Sequence, residues 1–517
     1  MLSLEQQQID KFVLHPFLLL FISLFSICFL TKWLCKNSSN GRLKPPSPPR
    51  LPILGNLHQL SVLSHRSLQS LGAKHGPLML LHFGRKPVII VQSADAASEI
   101  MKKHDLNFAD KPHTRTIRRI FYDLKDIAAA PYGEYWRKLK SICILQLLSS
   151  RRVQSFNFIR DEEIGLLMKK IESCCSSHLP VNLSELFESV TNNVICRAAF
   201  GRKYSEGLAS KKFLMLLREL LHLSASVSIG EFIPWLSWIN RVNGFDSRVD
   251  KTVKEVDDFL ELVIQDHLDG DLESDGDAVN GESRENFFVD ILLSIYKDNS
   301  IGVSIDKDNI KAIILDILAG GTDTTSATLE WAMTEILKHP NILSNLQKEA
   351  REILKDRQDI TDDDLEKMPY LKAVIKETLR LHPPIPLYGR IAREEVRVMG
   401  YDVAAGTMII INPWAIGRDP ASWEAPEKFE PDRFMNSLVD YKGQDFELIP
   451  FGAGRRGCPG IGFAMASVQL VLANIVHKFE WNSPVGSNLE DLDTTEQPGT
   501  TIHRKHPLFA VATHCYL

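Results

Sequence analysis

Beyond residue 55, apolar side chains recur three and four positions apart over residues 158–172, 209–223, 248–268, 307–338 and 341–356. That spacing returns a side chain to the same helix face at each turn, so each stretch is predicted as a helix with a buried stripe. Four short apolar runs interrupt them, at 79–83, 87–91, 396–401 and 407–411. They are too short for helices and rich in strand-forming residues, so they are predicted as strands. No internal repeat is found, and the expected class is mainly α with a minor β part.

The N-terminus breaks the amphipathic pattern. Residues 12–31 read FVLHPFLLLFISLFSICFLT, and no charge falls between Phe17 and Leu30. A stretch of about 20 apolar residues spans ~30 Å of hydrocarbon, so 12–31 is predicted as a transmembrane anchor. A cleaved signal peptide would need a basic leader and a small-residue cleavage site. The upstream side instead carries Glu5 and Asp10 against Lys11, while Lys32, Lys36, Arg42, Lys44 and Arg50 follow the span. The positive-inside rule then puts everything after residue 32 in the cytosol, and residues 1–11 in the lumen. Residues 32–55 form a basic hinge ending in Pro45-Pro46-Ser47-Pro48-Pro49-Arg50-Leu51-Pro52. Proline fixes φ, so this run is expected as a linker or as a strut holding the body over the membrane.

Composition narrows the function classes. The 517 residues are 44% hydrophobic and 24% charged, which suits a chain with a large core. The net charge is −5, and nothing in it favours nucleic acid as a partner. Eight scattered cysteines without a CxxC give no zinc framework and no disulfide scaffold. Residues 271–282, DLESDGDAVNGE, come near a calcium loop, but Glu273 is a poor third-position ligand and no second copy exists. This stretch is expected to be a solvated acidic loop between two helices, with calcium an unlikely partner.

Candidate chemistry concentrates at Phe451-Gly452-Ala453-Gly454-Arg455-Arg456-Gly457-Cys458-Pro459-Gly460, ahead of a helical pattern. Glycines allow a tight loop and close approach of backbone to a flat ligand. Pro459 is expected just inside the helix, which would place Cys458 at a helix N-terminus that favours a thiolate. Such a thiolate is either a nucleophile or a metal ligand; tyrosine phosphatases use a similar loop, but their anion-cradling residues follow the cysteine. A merely buried cysteine explains neither the glycines nor the arginines. Upstream, Ala319-Gly320-Gly321-Thr322-Asp323-Thr324-Thr325 lies inside a predicted helix. Two glycines there cost about 1 kcal/mol each against alanine, so they call for a reason such as close approach of a ligand.

The cysteine loop matches F-x-x-G-x-R-x-C-x-G at every specified position, and in this the chain resembles the cytochrome P450 family. The resemblance covers essentially the whole length and looks closest to the plant microsomal group, through PPSPPRLPILGNLHQL, YGEYWR, FELIPFGAGRRGCPG and VLANIVHKFEW. Within that group it is most similar to the branch acting on terpenoids, coumarins, alkaloids and aldoximes.

It implies the cytochrome P450 fold preceded by a single N-terminal transmembrane helix, with residues 56–517 as the haem-thiolate catalytic domain. Cys458 would be the axial ligand of haem b, in contact with Phe451 of its loop. Asp323 and Thr324 would relay protons to bound O2. Trp136, Arg137, Lys140, Arg390 and Arg456 would face the haem propionates; Lys140 stands where arginine is more usual, and Arg390 comes about one residue early. Glu377 and Arg380 would form a buried structural pair with Arg433. The Glu-x-x-Arg spacing also occurs at Glu134, Glu394 and Glu430, and only Glu377 lies in a strong helical pattern that stops at His382-Pro383-Pro384.

Substrate would be met by segments near 113–124, 222–230, 318–320, 384–389 and 498–502, including Phe121, Ala319, Gly320, Ile385, Leu387 and Thr501. The implied enzyme is a monooxygenase on the cytosolic face of the endoplasmic reticulum membrane. It would oxidise a lipophilic plant specialised metabolite with O2 and electrons from NADPH through a separate reductase. That partner would dock on a basic face of Lys138, Arg151, Arg152, Arg455 and Arg456. The alternative is a haem-dependent dehydratase or rearrangement enzyme of the same fold, acting for example on an aldoxime.

Overall fold

The computed structural model describes residues 19–30, 43–177, 179–202, 208–226, 229–269, 287–298, 305–354, 357, 359–484 and 492–514. The expected acidic loop at 271–282 lies outside them.

The central element is the helix Lys307–Lys338. Asp306 caps it, accepting from the Asn309 N–H while the Asn309 side chain accepts from the Asp306 N–H. Most of its length is buried on all sides, as its nearly continuous apolar sequence requires. The helices Leu183–Phe200, Pro369–Leu381 and Ile461–Lys478 pack against it and share its core. Gly321 explains one of these approaches: a Cβ there would lie 2.6 Å from Ile195 Cδ1. The glycine therefore lets a neighbouring helix, not a ligand, come close.

A four-stranded sheet lies beside the helices, in the order Leu78–Phe83, Lys86–Val91, Met408–Ile411, Tyr388–Ile391. The middle pair is parallel, with Val88 opposite Met408, and the outer pairs are antiparallel. Alternation sorts the side chains onto two faces. Met79, Leu81, Val88 and Ile90 bury one, and Leu78, Leu80, Ile89, Val91, Ile409 and Ile411 the other.

Two expectations change. The run 396–401 is a hairpin rather than one strand: Val396–Val398 pairs with Tyr401–Val403. Met399 and Gly400 turn between them at φ 47° and 85°, the left-handed conformation that tight hairpins need. The proline run is no free linker either. Pro45 and Pro48 are buried, the Leu80 N–H donates to the Pro46 carbonyl (2.8 Å), and Leu43 exchanges hydrogen bonds with Asp402. The segment from residue 43 is docked on the sheet.

Candidate active site

The cysteine loop is closed by its own backbone. The Cys458 N–H donates to the Phe451 carbonyl at 2.9 Å, and the Gly457 N–H to the Gly454 carbonyl at 3.0 Å. Gly454 has φ 66°, and a Cβ on it would lie 2.4 Å from the Met101 carbonyl oxygen. This glycine thus serves the loop's turn and its packing on residues 101–105, not the approach of a ligand. Asp105 completes that junction by accepting from the Arg455 N–H and guanidinium, the latter at 2.6 Å.

The helix after the cysteine begins at Ile461 with Gly460 as its cap, so Pro459 stands outside it and Cys458 precedes the cap. The expected bundle of helix N–H groups at the sulfur is therefore one N–H, from Gly460 at 3.3 Å to Sγ. The Cys458 side chain is accessible, yet the protein packed around it desolvates the thiol and pushes its pKa above the ordinary value; the Gly460 N–H and the Lys140 charge pull it partly back. A metal bound here would supply what the loop does not, because coordination deprotonates a thiol outright.

Cations gather around the loop. Arg456 is buried, donates to the carbonyls of Ala109 (2.6 Å), Ile127 (3.3 Å) and Ala130 (2.5 Å), and lies 4.2 Å over the Trp136 ring. Burial lowers its pKa to about 10. It cannot belong to a basic docking face, as the sequence suggested; its donors are turned inward. Trp136 donates Nε1–H to the same Ile127 carbonyl at 2.9 Å. Lys140 reaches the carbonyls of Arg455 and Gly457, while Arg137 is exposed and about 100° around the helix from Trp136. Arg390 is only 3% exposed, yet among the described residues its one hydrogen bond is to the Gly389 carbonyl at 3.1 Å. A buried guanidinium with most donors unspent suits an anionic partner.

Sequence reasoning missed three residues here. Lys111 lies in the field of Arg390 and Arg456, and burial holds its amine well below the usual ammonium range. Asp316, on the central helix, accepts from the N–H groups of Ile127 (2.7 Å) and Ala128. Asp126 accepts from Ala129 and is pushed up to about 6 by burial. The two acids fold residues 126–130 into the carbonyl cradle that Arg456 and Trp136 use. No local spacing announced them.

On the central helix, the Thr324 hydroxyl donates to the Gly320 carbonyl at 2.6 Å. A Cβ on Gly320 would meet nothing within 4 Å, in contrast to Gly321. Asp323 faces another way. Its Oδ1 is 2.9 Å from His503 Nε2, and His503 Nδ1 is 3.5 Å from Glu330 Oε2. Neither His503 nor Glu330 was singled out from the sequence. Burial works against the charged form of each of the three groups, but the contact wins: both carboxyls are lowered and His503 is raised to about 9. Arg218 adds a positive field at Asp323.

The sign of the linked stability follows. A histidine raised in the folded state stabilises fully below its unfolded value and loses that contribution as pH rises through about 9. The melting temperature should therefore fall between about pH 7 and 9.5, more steeply in the parent than in His503→Asn; equal slopes would reject this ion pair as the cause.

The structural network stands beside the loop. Glu377 and Arg380 are joined by two hydrogen bonds at 2.7 and 2.8 Å, and Arg433 Nε reaches Glu377 at 3.1 Å. Of the expected wall residues, Ala319 is buried, and Phe121 and Ile385 are half-buried. Leu387 instead packs with the sheet cluster of Met79, Leu81 and Phe83, and Thr501 is buried where its hydroxyl favours the Asp323 carboxylate.

The site offers haem b one accessible thiol with a single backbone N–H, a helix position without a Cβ, and Arg390 with unspent donors. These fit an iron porphyrin bearing carboxylates, with Cys458 as ligand and Arg390 toward a propionate. Fold and site together define a haem-thiolate oxygenase.

The comparisons agree. The cytochrome P450 family model matches residues 45–510. The chain is 51% identical over 505 residues to cytochrome P450 736A117 of Prunus mume, covering 96% of each chain. It is 53% identical to cytochrome P450 71A8 of Mentha piperita, covering 95% of this chain and 94% of that one. It is 48% identical to the tabersonine/lochnericine 19-hydroxylase of Catharanthus roseus, covering 96% and 97%. A zebra fish cytochrome P450 structure with progesterone superposes with a TM-score of 0.73 at 23% identity, over 87% of this chain and 99% of that one. The chain belongs to the cytochrome P450 family, whose members use haem b, O2 and electrons from a redox partner, and its relatives are plant monooxygenases.

Proposed function

We propose that this chain is a membrane-anchored monooxygenase that oxidises a lipophilic plant specialised metabolite, such as a terpenoid, alkaloid or coumarin. The observation that carries the reading is that the core burying Ala319 of the central helix is also the one against which Phe451 of the Cys458 loop packs. Haem b would supply O2 activation, with electrons arriving from NADPH through NADPH–cytochrome P450 reductase.

The chain's own residues would bind, orient and protonate. Arg390 would hold a carboxylate of the cofactor, while Trp136 and Arg456 brace the loop. Thr324 would hold a hydroxyl proton beside the Cβ-free position, and Asp323, which faces His503 here, would restore it after a side-chain rotation. Alkaloid-type substrates are supported by the 19-hydroxylase relative. Among the basic residues expected to meet the reductase, Lys138 is engaged by Glu134 (2.9 Å) and Arg455 by Asp105, which leaves exposed Arg151 beside half-buried Arg152.

Anchoring is supported by the exposed apolar helix Leu19–Leu30. A second apolar face supports it too. Trp235 and Trp238 are 65% and 58% exposed, and Phe232 beside them packs on Phe83 at 5.4 Å, near exposed Ile53 and Leu54. Exposed tryptophans of this kind suit a membrane interface. The endoplasmic reticulum, with the body in the cytosol, is the location we assign.

Thr324→Ala tests the relay. Product per NADPH should fall about ten-fold or more, with peroxide released instead and the reduced-CO band kept. Unchanged coupling would remove the hydroxyl from the mechanism. The substrate itself is sought by reductase-supplemented screening of plant lipophiles for a binding-induced spectral shift, followed by product identification.

A further inference from the structure

The carboxylate of Asp323 poses a problem of supply. It is held as an anion, so it has no proton of its own to give. Its neighbours differ sharply in what they can release. Arg218 contributes charge, but a guanidinium does not deprotonate in proteins. Thr501 offers a hydroxyl, which is far too weak an acid. Among the described neighbours of that carboxylate, His503 alone carries a proton that a side chain can give up and regain; the transfer is uphill and proceeds only as the proton is drawn on from Asp323.

The surroundings give that proton a source. Asp323, Glu330 and His503 all line a groove of about 910 Å³ between the helices Leu183–Phe200 and Leu208–Ala225 and residues 497–507. Exposed Glu185 and Lys505 stand on its rim, so it communicates with solvent. Asp323 and Glu330 are seven residues apart, two turns along one helix face, and His503 bridges them from the last hairpin. Glu330 is itself fixed by the Ser184 hydroxyl and the Arg504 N–H. The imidazole is thus held from one side and aimed at Asp323 from the other.

We propose that His503 is the proton supplier of Asp323, passing a proton taken from solvent in the groove to Oδ1. This rests on the reading of Asp323 and Thr324 given above. In the transfer the Nε2–H bond breaks and an Oδ1–H bond forms, leaving neutral imidazole beside a neutral carboxylic acid. Because Asp323 faces His503 and Thr324 faces the Gly320 carbonyl, the acid must rotate its side chain to give its proton towards Thr324 Oγ1 before it returns to carboxylate. Water in the groove re-protonates Nε2, and Glu330 favours the renewed imidazolium. The elevated pKa of His503 agrees with a ring that is charged at rest. His503 is a positioning residue in the sense that it acts only through Asp323.

The test needs no organic substrate. Full-length holoenzyme with NADPH–cytochrome P450 reductase reduces O2 either to peroxide, using one NADPH, or to two waters, using two NADPH and two protons. The share of peroxide per NADPH reports proton supply. His503→Gln keeps an N–H towards Asp323 but has no proton to pass. Its peroxide share should rise about two-fold or more, the solvent deuterium effect on water formation should change, and the reduced-CO band should remain. A purely structural histidine would be rescued by glutamine, and a parental partition in His503→Gln overturns the proposal. Asp323→Asn separates the layers. If it too partitions like the parent, the underlying relay is wrong; if it shifts while His503→Gln does not, only the role of His503 fails. Should His503→Gln lose the CO band, nitrogen-15 NMR of histidine-labelled parent protein decides: His503 must be an imidazolium at neutral pH, and a neutral ring overturns the proposal.

Discussion

Cys458→Ala is expected to give protein with no reduced-CO band at the long-wavelength position of thiolate ligation and no detectable turnover. The sulfur is the only soft donor on its loop, and its environment is arranged around ligation rather than around a free anion. One backbone N–H from Gly460 at 3.3 Å reaches it, and desolvation by the protein packed around it raises its pKa. Haem binding must therefore expel the thiol proton, and uptake of ferric haem by the apoprotein should strengthen as pH rises towards the thiol pKa. Cys458→Ser should keep the Gly460 hydrogen bond but still lose the band, because a serine oxygen is a harder and far more basic ligand. Retention of the band in Cys458→Ala would reassign the ligand and undo the account of the site.

Glu377→Ala is expected to destabilise the protein by about 3–5 kcal/mol and to lower the fraction of protein that shows the reduced-CO band. The carboxylate is 0% exposed and faces two guanidiniums; Arg380 beside it also donates to the carbonyls of Gly417, Pro426 and Lys428. Without the carboxylate, Arg380 becomes a buried charge with no counter-ion, and the Glu430 N–H loses its acceptor at 2.8 Å. The damage should travel along packed rings. Trp423, beside Arg380, belongs to a cluster with Phe434 and Leu448 that Tyr441 adjoins, and Tyr441 meets Phe451 at the start of the cysteine loop. Urea midpoints and the ratio of CO-reactive to total protein measure both parts. An unfolding free energy within about 0.5 kcal/mol of the parent would show that the pair contributes nothing net.

Much of this fold was legible because it is local. The central helix runs over Lys307–Lys338, the bounds its periodicity predicted, and its capping side chain stands one residue ahead. The cysteine loop could be found because its glycines and arginines are consecutive. The glycine pair on the central helix was visible, but its meaning was not. Gly321 answers to Ile195 on another helix, and Gly320 to open space. Likewise the loop glycine at 454 answers to Met101, and Pro459 stands outside a helix it was expected to open.

What the sequence determined by itself was the inventory: an apolar leader, helices and strands by period, one thiol in a constrained loop, and the candidate relay. Each depends on neighbours within a few residues, where spacing along the chain dictates spacing in space. Only the tertiary structure decided which charges are buried and whom they meet. Arg456 turns inward to Ala109, 347 residues away, and Asp323 meets His503 across 180 residues. Such partners share no pattern in the chain. They are brought together by the packing of whole helices against the sheet and the last hairpin, and burial then strengthens the attraction between them.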